Sequence, residues 1–291
     1  MRLIVVSGLS GSGKSVALDM LEDLDFYCVD NIPAGLLPGF IAYTVRTSET
    51  PYRLTAVGLD ARNRPEDLAE VPRLVLSLRK SGIGCEVLFL RADNETLLKR
   101  FSETRRRHPL SRAGMGLQEA LEQERRLLAP LNNAADLTID TSRLSVHELR
   151  ELIRERVVEK VHAGPSLLFQ SFAYRHGVPD DADFVFDARA LPNPYWEPTL
   201  RDLTGRDEAV AKFLANEEDV GRFFSDVRDF IERWLPSLVR SNRSYLTVAV
   251  GCTGGQHRSV YLAERLAAHF SDSVRGQALV RHRDLESRRH E

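Results

Sequence analysis

The chain has 291 residues, a formal net charge of −2 and hydrophobic residues at 43% of its positions. This length exceeds that of a usual single domain, so we expect two domains, each large enough for its own hydrophobic core. A near-neutral net charge excludes an overall polycation, so any contact with nucleic acid must come from a local cluster of charge.

The three cysteines are isolated along the chain. Cys28, Cys85 and Cys252 are odd in number and lack Cys-x-x-Cys spacing, which argues against disulfides and against a structural zinc site. No apolar run approaches the length of a membrane span, and the first one, residues 3–6, is too short for the core of a signal peptide. We therefore expect a cytoplasmic protein that makes no membrane contact.

The first predicted strand, residues 3–6, leads directly into a glycine-rich motif. Residues 8–15 match the pattern G-x-x-x-x-G-K-[ST], and the apolar residues after them predict a helix. A strand that ends in glycines and opens a helix directs backbone N–H groups and the positive end of the helix dipole toward one anion. We predict that ATP or GTP binds here with Mg²⁺, with the lysine at the β/γ-phosphates and the final serine as a magnesium ligand. The predicted ATP-binding residues are Gly8, Leu9, Ser10, Gly11, Ser12, Gly13, Lys14 and Ser15.

Further apolar runs predict strands at residues 26–29, 54–59, 86–90 and 135–139. Buried parallel strands that alternate with helices predict an α/β fold, here a P-loop NTPase or kinase-like parallel sheet with helices on both faces. Ligands of such sheets bind at the carboxyl ends of the strands. Asp30 and Asp60 both follow predicted strands and are alternative carboxylates for the magnesium ion, and the longer run before Asp60 favours Asp60.

A cluster of positive charge lies in the helical segment after residue 90. It consists of Lys99, Arg100, Arg105, Arg106, Arg107 and Arg112, opposed by Glu103 alone, which gives a net charge of +5. Such a segment can act as a lid whose arginines close onto a transferring phosphoryl group. A solvated helix face followed by a loop explains the same residues equally well.

Gly164 and Pro165 mark the predicted domain boundary. Beyond them we predict strands at residues 166–174, 184–186 and 245–250, and apolar residues at steps of three and four between 220 and 238 predict an amphipathic core helix. The sequence thus predicts a P-loop nucleotide-binding domain of residues 1–163 and a second, smaller α/β domain of residues 164–291.

The second domain contains another strand, glycine loop and helix, which predicts a site for a phosphate or other small anion. Its predicted residues are Cys252, Thr253, Gly254, Gly255, His257, Arg258 and Ser259. Cys252 and Arg258 also form a Cys-x5-Arg pair, an arrangement typical of phosphatases with a thiolate nucleophile. No spacing singles out a general acid, so anion binding is the favoured interpretation. His176 and Arg189 are further candidates for this site, although a packed histidine and a surface arginine explain them equally well.

The C-terminal segment, residues 275–291, reads as a basic tail with a net charge of +2. The predicted RNA-binding residues are Arg275, Arg281, Arg283, Arg288 and Arg289. Contact with an RNA backbone would release a counterion for each neutralised phosphate. Asp284, Glu286 and Glu291 lie among the arginines, which slightly favours an ordinary solvated tail on sequence alone.

Five segments together resemble the RapZ/YvcJ family of nucleotide-binding proteins. They are residues 8–15, Val29-Asp30-Asn31-Ile32-Pro33, Asp60-Ala61-Arg62-Asn63, Leu191-Pro192-Asn193-Pro194 and residues 251–259. The similarity spans nearly the whole chain and is far more specific than the phosphate loop alone.

The resemblance implies ATP binding at residues 8–15, a GTP-linked motif at Asp60, Ala61, Arg62 and Asn63, and weak ATPase and GTPase activity. It also implies a homo-oligomer whose C-terminal domain binds RNA. In the adapter branch of the family, that domain senses glucosamine-6-phosphate and presents a small regulatory RNA to the endoribonuclease RNase E, which tunes amino-sugar synthesis. The family's tail is rich in lysine, whereas this chain carries arginines, which preserve the charge and the phosphate geometry.

Two alternatives to this adapter role stay open from the residues themselves. The phosphate loop and the arginines after Lys99 fit a small-molecule kinase, and the Cys252 and Arg258 pair fits a phosphatase less well.

Overall fold

The computed structural model describes residues 1–47, 52–111, 115–158, 165–241, 243, 245–273 and 277–286. The chain divides into two compact units, Met1–Glu159 and Lys160–Glu291. The predicted boundary between residues 163 and 164 lies outside the described residues.

In the described part of the first unit, five parallel strands form one sheet with the order β2-β3-β1-β4-β5. The strands are β1 (Arg2–Gly8), β2 (Tyr27–Val29), β3 (Leu54–Gly58), β4 (Gly84–Arg91) and β5 (Leu137–Asp140). The helices are α1 (Lys14–Glu22), α2 (Leu37–Thr47), α3 (Pro65–Lys80), α4 (Asn94–Thr104), α5 (Leu117–Asn133) and α6 (Val146–Ile153), which a π-helical turn extends over Arg154–Val158.

Helices cover both faces of this sheet because successive side chains of a strand point to opposite sides. Leu3 and Val5 pack in one apolar cluster with buried residues of α2, α3 and α5. Ile4 and Val6, one residue out of phase, are also fully buried, and α1 contacts β1, β3 and α6. The predicted α/β fold with a parallel sheet is confirmed.

The second unit contains another parallel sheet, which in the described residues has four strands in the order β7-β8-β6-β9. The strands are β6 (Ser166–Ala173), β7 (Phe184–Asp187), β8 (Tyr245–Cys252) and β9 (Gln277–His282). The helices are α7 (Glu208–Ala215), α8 (Glu218–Arg240), α9 (Arg258–Ser273) and α10 (Arg283–Glu286). The amphipathic α8 buries its apolar stripe against this sheet and α9, as its periodicity predicted.

The prediction of a tail beginning at residue 275 is wrong for residues 277–286. These residues form β9, which pairs with β6 along Ser166–Ser171, and the short helix α10. The apolar core of β9 is only three residues long and is followed by arginine and histidine, so its sequence gives a weak strand signal. Across the residues described above, none of the helices is both long and apolar enough to traverse a bilayer.

Candidate functional site

The phosphate loop connects the end of β1 at Gly8 to the start of α1 at Lys14. Gly11 and Gly13 have φ angles of 86° and 99°, which a residue with a side chain rarely adopts. A Cβ atom at Gly8 would lie 2.3 Å from the Leu90 carbonyl oxygen, so only glycine lets the loop approach β4 this closely. Because first-turn N–H groups have no intrahelical partner, the loop presents free amides where α1 begins.

Two side chains of the loop complete this cradle. Lys14 Nζ forms an ion pair with the carboxylate of Asp30, which follows β2, and the lysine side chain is only 13% exposed. A Cβ atom at Gly58 would lie 2.5 Å from Asp30 Oδ1, so the absence of a side chain on β3 makes room for this carboxylate. The hydroxyl of Ser12 is buried and has no hydrogen-bond partner among the described residues. The loop therefore offers amides, an ammonium and a hydroxyl to a polyphosphate.

The Asp60 to Asn63 segment forms a closed turn after β3. Both carboxylate oxygens of Asp60 accept hydrogen bonds from the Arg62 guanidinium, at 2.6 to 3.2 Å, and Asn63 Oδ1 accepts one from the Ala34 amide at 2.6 Å. Burial opposes ionisation of Asp60, but the bonds from Arg62 outweigh it and hold the pKa of this carboxyl below its usual value. Ala61 is buried, so Arg62, half exposed, is the member of this segment best placed to meet a ligand.

The two candidate magnesium carboxylates differ in access. The Asp60 side chain is 6% exposed and paired with Arg62, whereas Asp30 is 49% exposed beside Lys14. Within the described ranges, no three histidine, cysteine, aspartate or glutamate side chains gather so as to hold a metal ion by themselves. Magnesium here would depend on nucleotide oxygens together with the Ser15 hydroxyl, which is exposed in the first turn of α1. The geometry favours Asp30 as the carboxylate; the choice of Asp60 stays a prediction.

Sequence reasoning missed the buried residues that support the loop from behind. Glu124 of α5 accepts hydrogen bonds from the Ser10 amide at 2.9 Å and the Ser10 hydroxyl at 2.6 Å. Arg100 donates to the Gly11 carbonyl oxygen at 2.9 Å, and Thr141 donates to that of Ser12 at 2.9 Å. One signal was available: Glu124 occupies the apolar stripe of α5 between Leu121 and Leu128, where a carboxylate needs partners.

The second loop runs from the end of β8 at Cys252 to the start of α9 at Arg258. Gly255 has a φ angle of 65°. Arg258 is buried, and its guanidinium donates to the carbonyl oxygens of Arg189 and Leu191, each at 2.9 Å. Its Nη2 lies 3.5 Å from the Thr253 hydroxyl, and its Nε has no hydrogen-bond partner among the described residues. Arg258 therefore stabilises the segment after β7 through two hydrogen bonds, and its Nε–H remains available as a donor to a ligand.

The exposed part of the second loop is small. Thr253 is exposed and Gly254 half exposed, whereas His257, Arg258 and Ser259 are buried. Burial lowers the pKa of His257, so this ring is neutral at pH 7, and its Nε2 lies 3.2 Å from the Leu200 carbonyl oxygen. A ligand at this loop would meet the Thr253 hydroxyl and loop amides first.

Cys252 lies beneath this loop rather than at its surface. The residue is 3% exposed, and its Sγ is 3.1 Å from the Ser259 hydroxyl oxygen. A phosphatase nucleophile needs access to the phosphoryl group that it attacks. The burial of this thiol favours anion binding over phosphatase chemistry.

His176 and Arg189 both lie at the same edge of the sheet as the second loop. His176 Nδ1 is 2.5 Å from Asp284 Oδ1, and a Cβ atom at Gly255 would lie 3.1 Å from Asp284 Cβ. Arg189 forms a bidentate ion pair with Asp187 and stacks its guanidinium 3.9 Å from the Tyr174 ring centroid. Because all four strands are parallel, their carboxyl ends bring these groups together.

The predicted RNA-binding arginines are not equivalent. Arg281 is half-buried in β9, and Arg283 donates to the Gly177 carbonyl oxygen at 2.6 Å while its guanidinium lies 5.4 Å from the Phe172 ring centroid. Arg283 is therefore a packed residue, not part of a solvated tail. Arg275, Arg288 and Arg289 lie outside the described residues, as does Arg112 of the basic cluster.

Two family models match the chain. The RapZ-like N-terminal domain matches residues 1–161, and the RapZ C-terminal domain matches residues 165–286. Among curated relatives, a nucleotide-binding protein of Thioalkalivibrio sulfidiphilus is 55% identical over 98% of this chain and its own full length. A nucleotide-binding protein of Alkalilimnicola ehrlichii is also 55% identical, over 98% of each chain.

Solved structures show a weaker likeness. A shikimate kinase from Bacteroides thetaiotaomicron is 13% identical, with a TM-score of 0.35, over 53% of this chain and 97% of that one. A likeness of this size carries no argument about substrate or reaction.

Proposed function

The chain belongs to the RapZ-like family, and from this premise we propose that it is a cytoplasmic, nucleotide-binding adapter for RNA. In this proposal the first unit binds ATP or GTP with Mg²⁺ and hydrolyses it slowly. The second unit binds a sugar phosphate, glucosamine-6-phosphate, and a small regulatory RNA. As a homo-oligomer, the protein presents that RNA to RNase E and so regulates amino-sugar synthesis.

One observation supports nucleotide binding above all others: the loop between β1 and α1 is built around glycines in positions that disfavour any side chain. Positive φ angles at Gly11 and Gly13 and the close approach of Gly8 to β4 shape a concavity lined by amides. The buried Ser12 hydroxyl and the Lys14 ammonium fit the oxygens of a triphosphate. Magnesium, when bound, would neutralise developing charge on the β- and γ-phosphates.

The sugar-phosphate proposal rests on the carboxyl edge of the second sheet. Thr253 and the loop amides are accessible there, and Arg189 and His176 come to the same edge from β7 and β6. An arginine and helix N-terminal amides suit a phosphate, while the His176 and Asp284 pair suits sugar hydroxyls.

Binding assays for the two nucleotides test the first part of the proposal. We expect ATP and GTP to compete for one site on the full chain. Mg²⁺ should increase the affinity of the chain for both nucleotides. Ser15→Ala should reduce the magnesium effect while leaving metal-free binding intact, because only the hydroxyl ligand is lost. Absence of nucleotide binding in the unaltered chain would refute the proposal.

The RNA part is tested by identifying RNAs that co-purify with the chain. A variant with Arg281, Arg288 and Arg289 changed to Ala should bind them more weakly and with a shallower salt dependence. A control with exposed Arg222, Arg233 and Arg240 of α8 changed to Ala removes the same charge and should bind RNA normally. Equal salt slopes in both variants would refute an RNA contact by Arg281, Arg288 and Arg289.

A second candidate function is a small-molecule kinase. The observation that favours it is the placement of Asp30 beside Lys14, with the half-exposed Arg62 after the neighbouring strand. The Asp30 carboxylate could accept a proton from a substrate hydroxyl, and the Arg62 guanidinium could bind an anionic group of the same substrate. A panel of sugars and nucleosides should then reveal one that strongly accelerates ATP turnover. If no compound in the panel accelerates ATP turnover, the kinase function is refuted and the adapter function is the remaining proposal.

A further inference from the structure

A segment of three exposed arginines lies between two anchors, one in direct contact with the phosphate loop and the other linked to it through Glu124. The arginine segment is residues 105–107, which directly follows the end of α4 at Thr104. On its N-terminal side, Arg100 donates to the carbonyl oxygens of Gly11 and Thr141 at 2.9 and 2.7 Å. Five residues before the segment, α4 is therefore fixed to the loop.

The anchor on the C-terminal side is His108, whose side chain is fully buried. Its Nδ1 accepts a hydrogen bond from the Leu110 amide at 3.2 Å, so this nitrogen carries no proton. The ring proton is therefore on Nε2, which donates to Glu124 Oε2 at 3.1 Å. The protonation pattern of His108 is fixed by its two partners.

Glu124 connects this histidine to the loop. Its carboxylate is fully buried and accepts three hydrogen bonds: one from His108, one from the Ser10 amide and one from the Ser10 hydroxyl. A buried carboxylate is costly unless such donors satisfy it. The position of the loop at Ser10 and the position of His108 are therefore set by the same group.

The two anchors restrict where the arginines can lie. Each arginine is within three residues of His108, and a chain spans at most about 3.5 Å per residue, so their Cα atoms lie within about 11 Å of that histidine. His108 is itself linked through Glu124 to Ser10 of the loop, which brings the arginine segment into the neighbourhood of a phosphate bound there. Arginine is also the residue best suited to bidentate phosphate contacts.

We propose that His108 and Glu124 are positioning residues that hold Arg105, Arg106 and Arg107 over the phosphate loop, where these arginines bind the terminal phosphate of a nucleoside triphosphate. The inference rests on the proposed nucleotide binding and adds the residues that select a triphosphate. It resolves the two interpretations of the basic cluster in favour of phosphate contact for residues 105–107.

Glu124→Leu is the variant that separates the anchor from the loop. Leucine accepts no hydrogen bond, so the Ser10 amide, the Ser10 hydroxyl and His108 Nε2 all lose their common acceptor. We expect the ratio of ATP to ADP affinity to fall about tenfold, and trypsin cleavage after residues 105–107 to become about tenfold faster and insensitive to ATP. Glu124→Asp, which keeps the charge, should recover part of both effects.

A second variant tests the same contact without changing a buried residue, in case the Glu124 variant misfolds. Changing Arg105, Arg106 and Arg107 to Gln alters only exposed side chains and should lower the ATP to ADP affinity ratio by the same factor. Adding Glu124→Leu to it should lower the ratio no further, because both changes remove the same contact. A matched control, Arg73→Gln, Lys80→Gln and Arg126→Gln, removes equal charge from exposed sites and should leave the ratio unchanged.

The outcomes separate the two proposals. An unchanged affinity ratio in the triple arginine variant, or additive losses when the changes are combined, overturns this inference while nucleotide binding stands. A chain that binds neither nucleotide overturns both.

Discussion

The two glycine loops of this protein share one plan, a parallel strand that runs through glycines into a helix, but they use their basic residue differently. Lys14 of the first loop is paired with one partly exposed carboxylate that a ligand can replace. Arg258 of the second loop is buried and donates to two backbone carbonyl oxygens. The same motif thus places a cation that can bind a ligand, Lys14, in one unit. In the other unit its cation, Arg258, mainly stabilises the backbone of a neighbouring segment.

Lys14→Ala gives the largest expected change in ligand binding. Without its charge-assisted contacts, ATP affinity should fall at least about 100-fold, equivalent to about 3 kcal/mol, while binding of glucosamine-6-phosphate is unaffected. Calorimetric titration measures both affinities, and Lys80→Ala, an exposed lysine of α3, is the control. Retained ATP affinity in Lys14→Ala would mean that the nucleotide does not bind at this loop.

Arg258→Ala should affect stability as well as binding. It leaves the Arg189 and Leu191 carbonyl oxygens without their donor, so we expect the second unit to lose about 2–3 kcal/mol of unfolding free energy and its sugar-phosphate binding. Urea denaturation measures the first effect. If Arg258→Ala abolished sugar-phosphate binding at full stability, the side chain would be a direct ligand and the contrast with Lys14 would disappear.

Thr253→Val separates sugar-phosphate binding by the second loop from the contribution of the loop to stability. The residue is exposed, so stability should be unchanged, while loss of its hydroxyl should weaken sugar-phosphate binding about fivefold, or about 1 kcal/mol. Thr253→Ser keeps the hydroxyl and should bind normally. Equal affinities for the valine and serine variants would place the ligand elsewhere on the sheet edge.

The smallest expected effect concerns the closed turn beside the first loop. Because the pKa of Asp60 is held below its usual value, its pairing with Arg62 stabilises the fold above about pH 4 and is lost as the pH falls through the folded pKa. Asp60→Asn should therefore cost about 1 kcal/mol at pH 7 and progressively less as the pH falls below about 4. A stability difference for Asp60→Asn that stays constant as the pH falls would contradict the assignment.

Much of the first unit follows from local pattern. The runs before Asp30 and Asp60 become β2 and β3, and the loop at residues 8–15 lies between strand and helix, because strong apolar runs and a specific glycine spacing leave few alternatives. The position of Glu124 in an apolar stripe indicates that it needs a partner, but the sequence does not identify that partner, because Ser10 is 114 residues away.

The wrong prediction for residues 277–286 of the second unit has a similar cause. Arg281 and Arg283 suggested a solvated tail, but β9 gains its stability from pairing with β6, a contact between distant parts of the chain. Arg283 is packed against Phe172 and the Gly177 carbonyl by that pairing. Charge in a short segment predicts exposure only when no distant strand can bury it.

The central claim is that the two loops are separate anion sites with separate ligands. Calorimetric titration of glucosamine-6-phosphate into the full chain, first alone and then with saturating ATP and Mg²⁺, tests it most directly. We expect one sugar phosphate per chain in both titrations, with ATP still bound. Displacement of one ligand by the other, or loss of both in Lys14→Ala, would contradict the account.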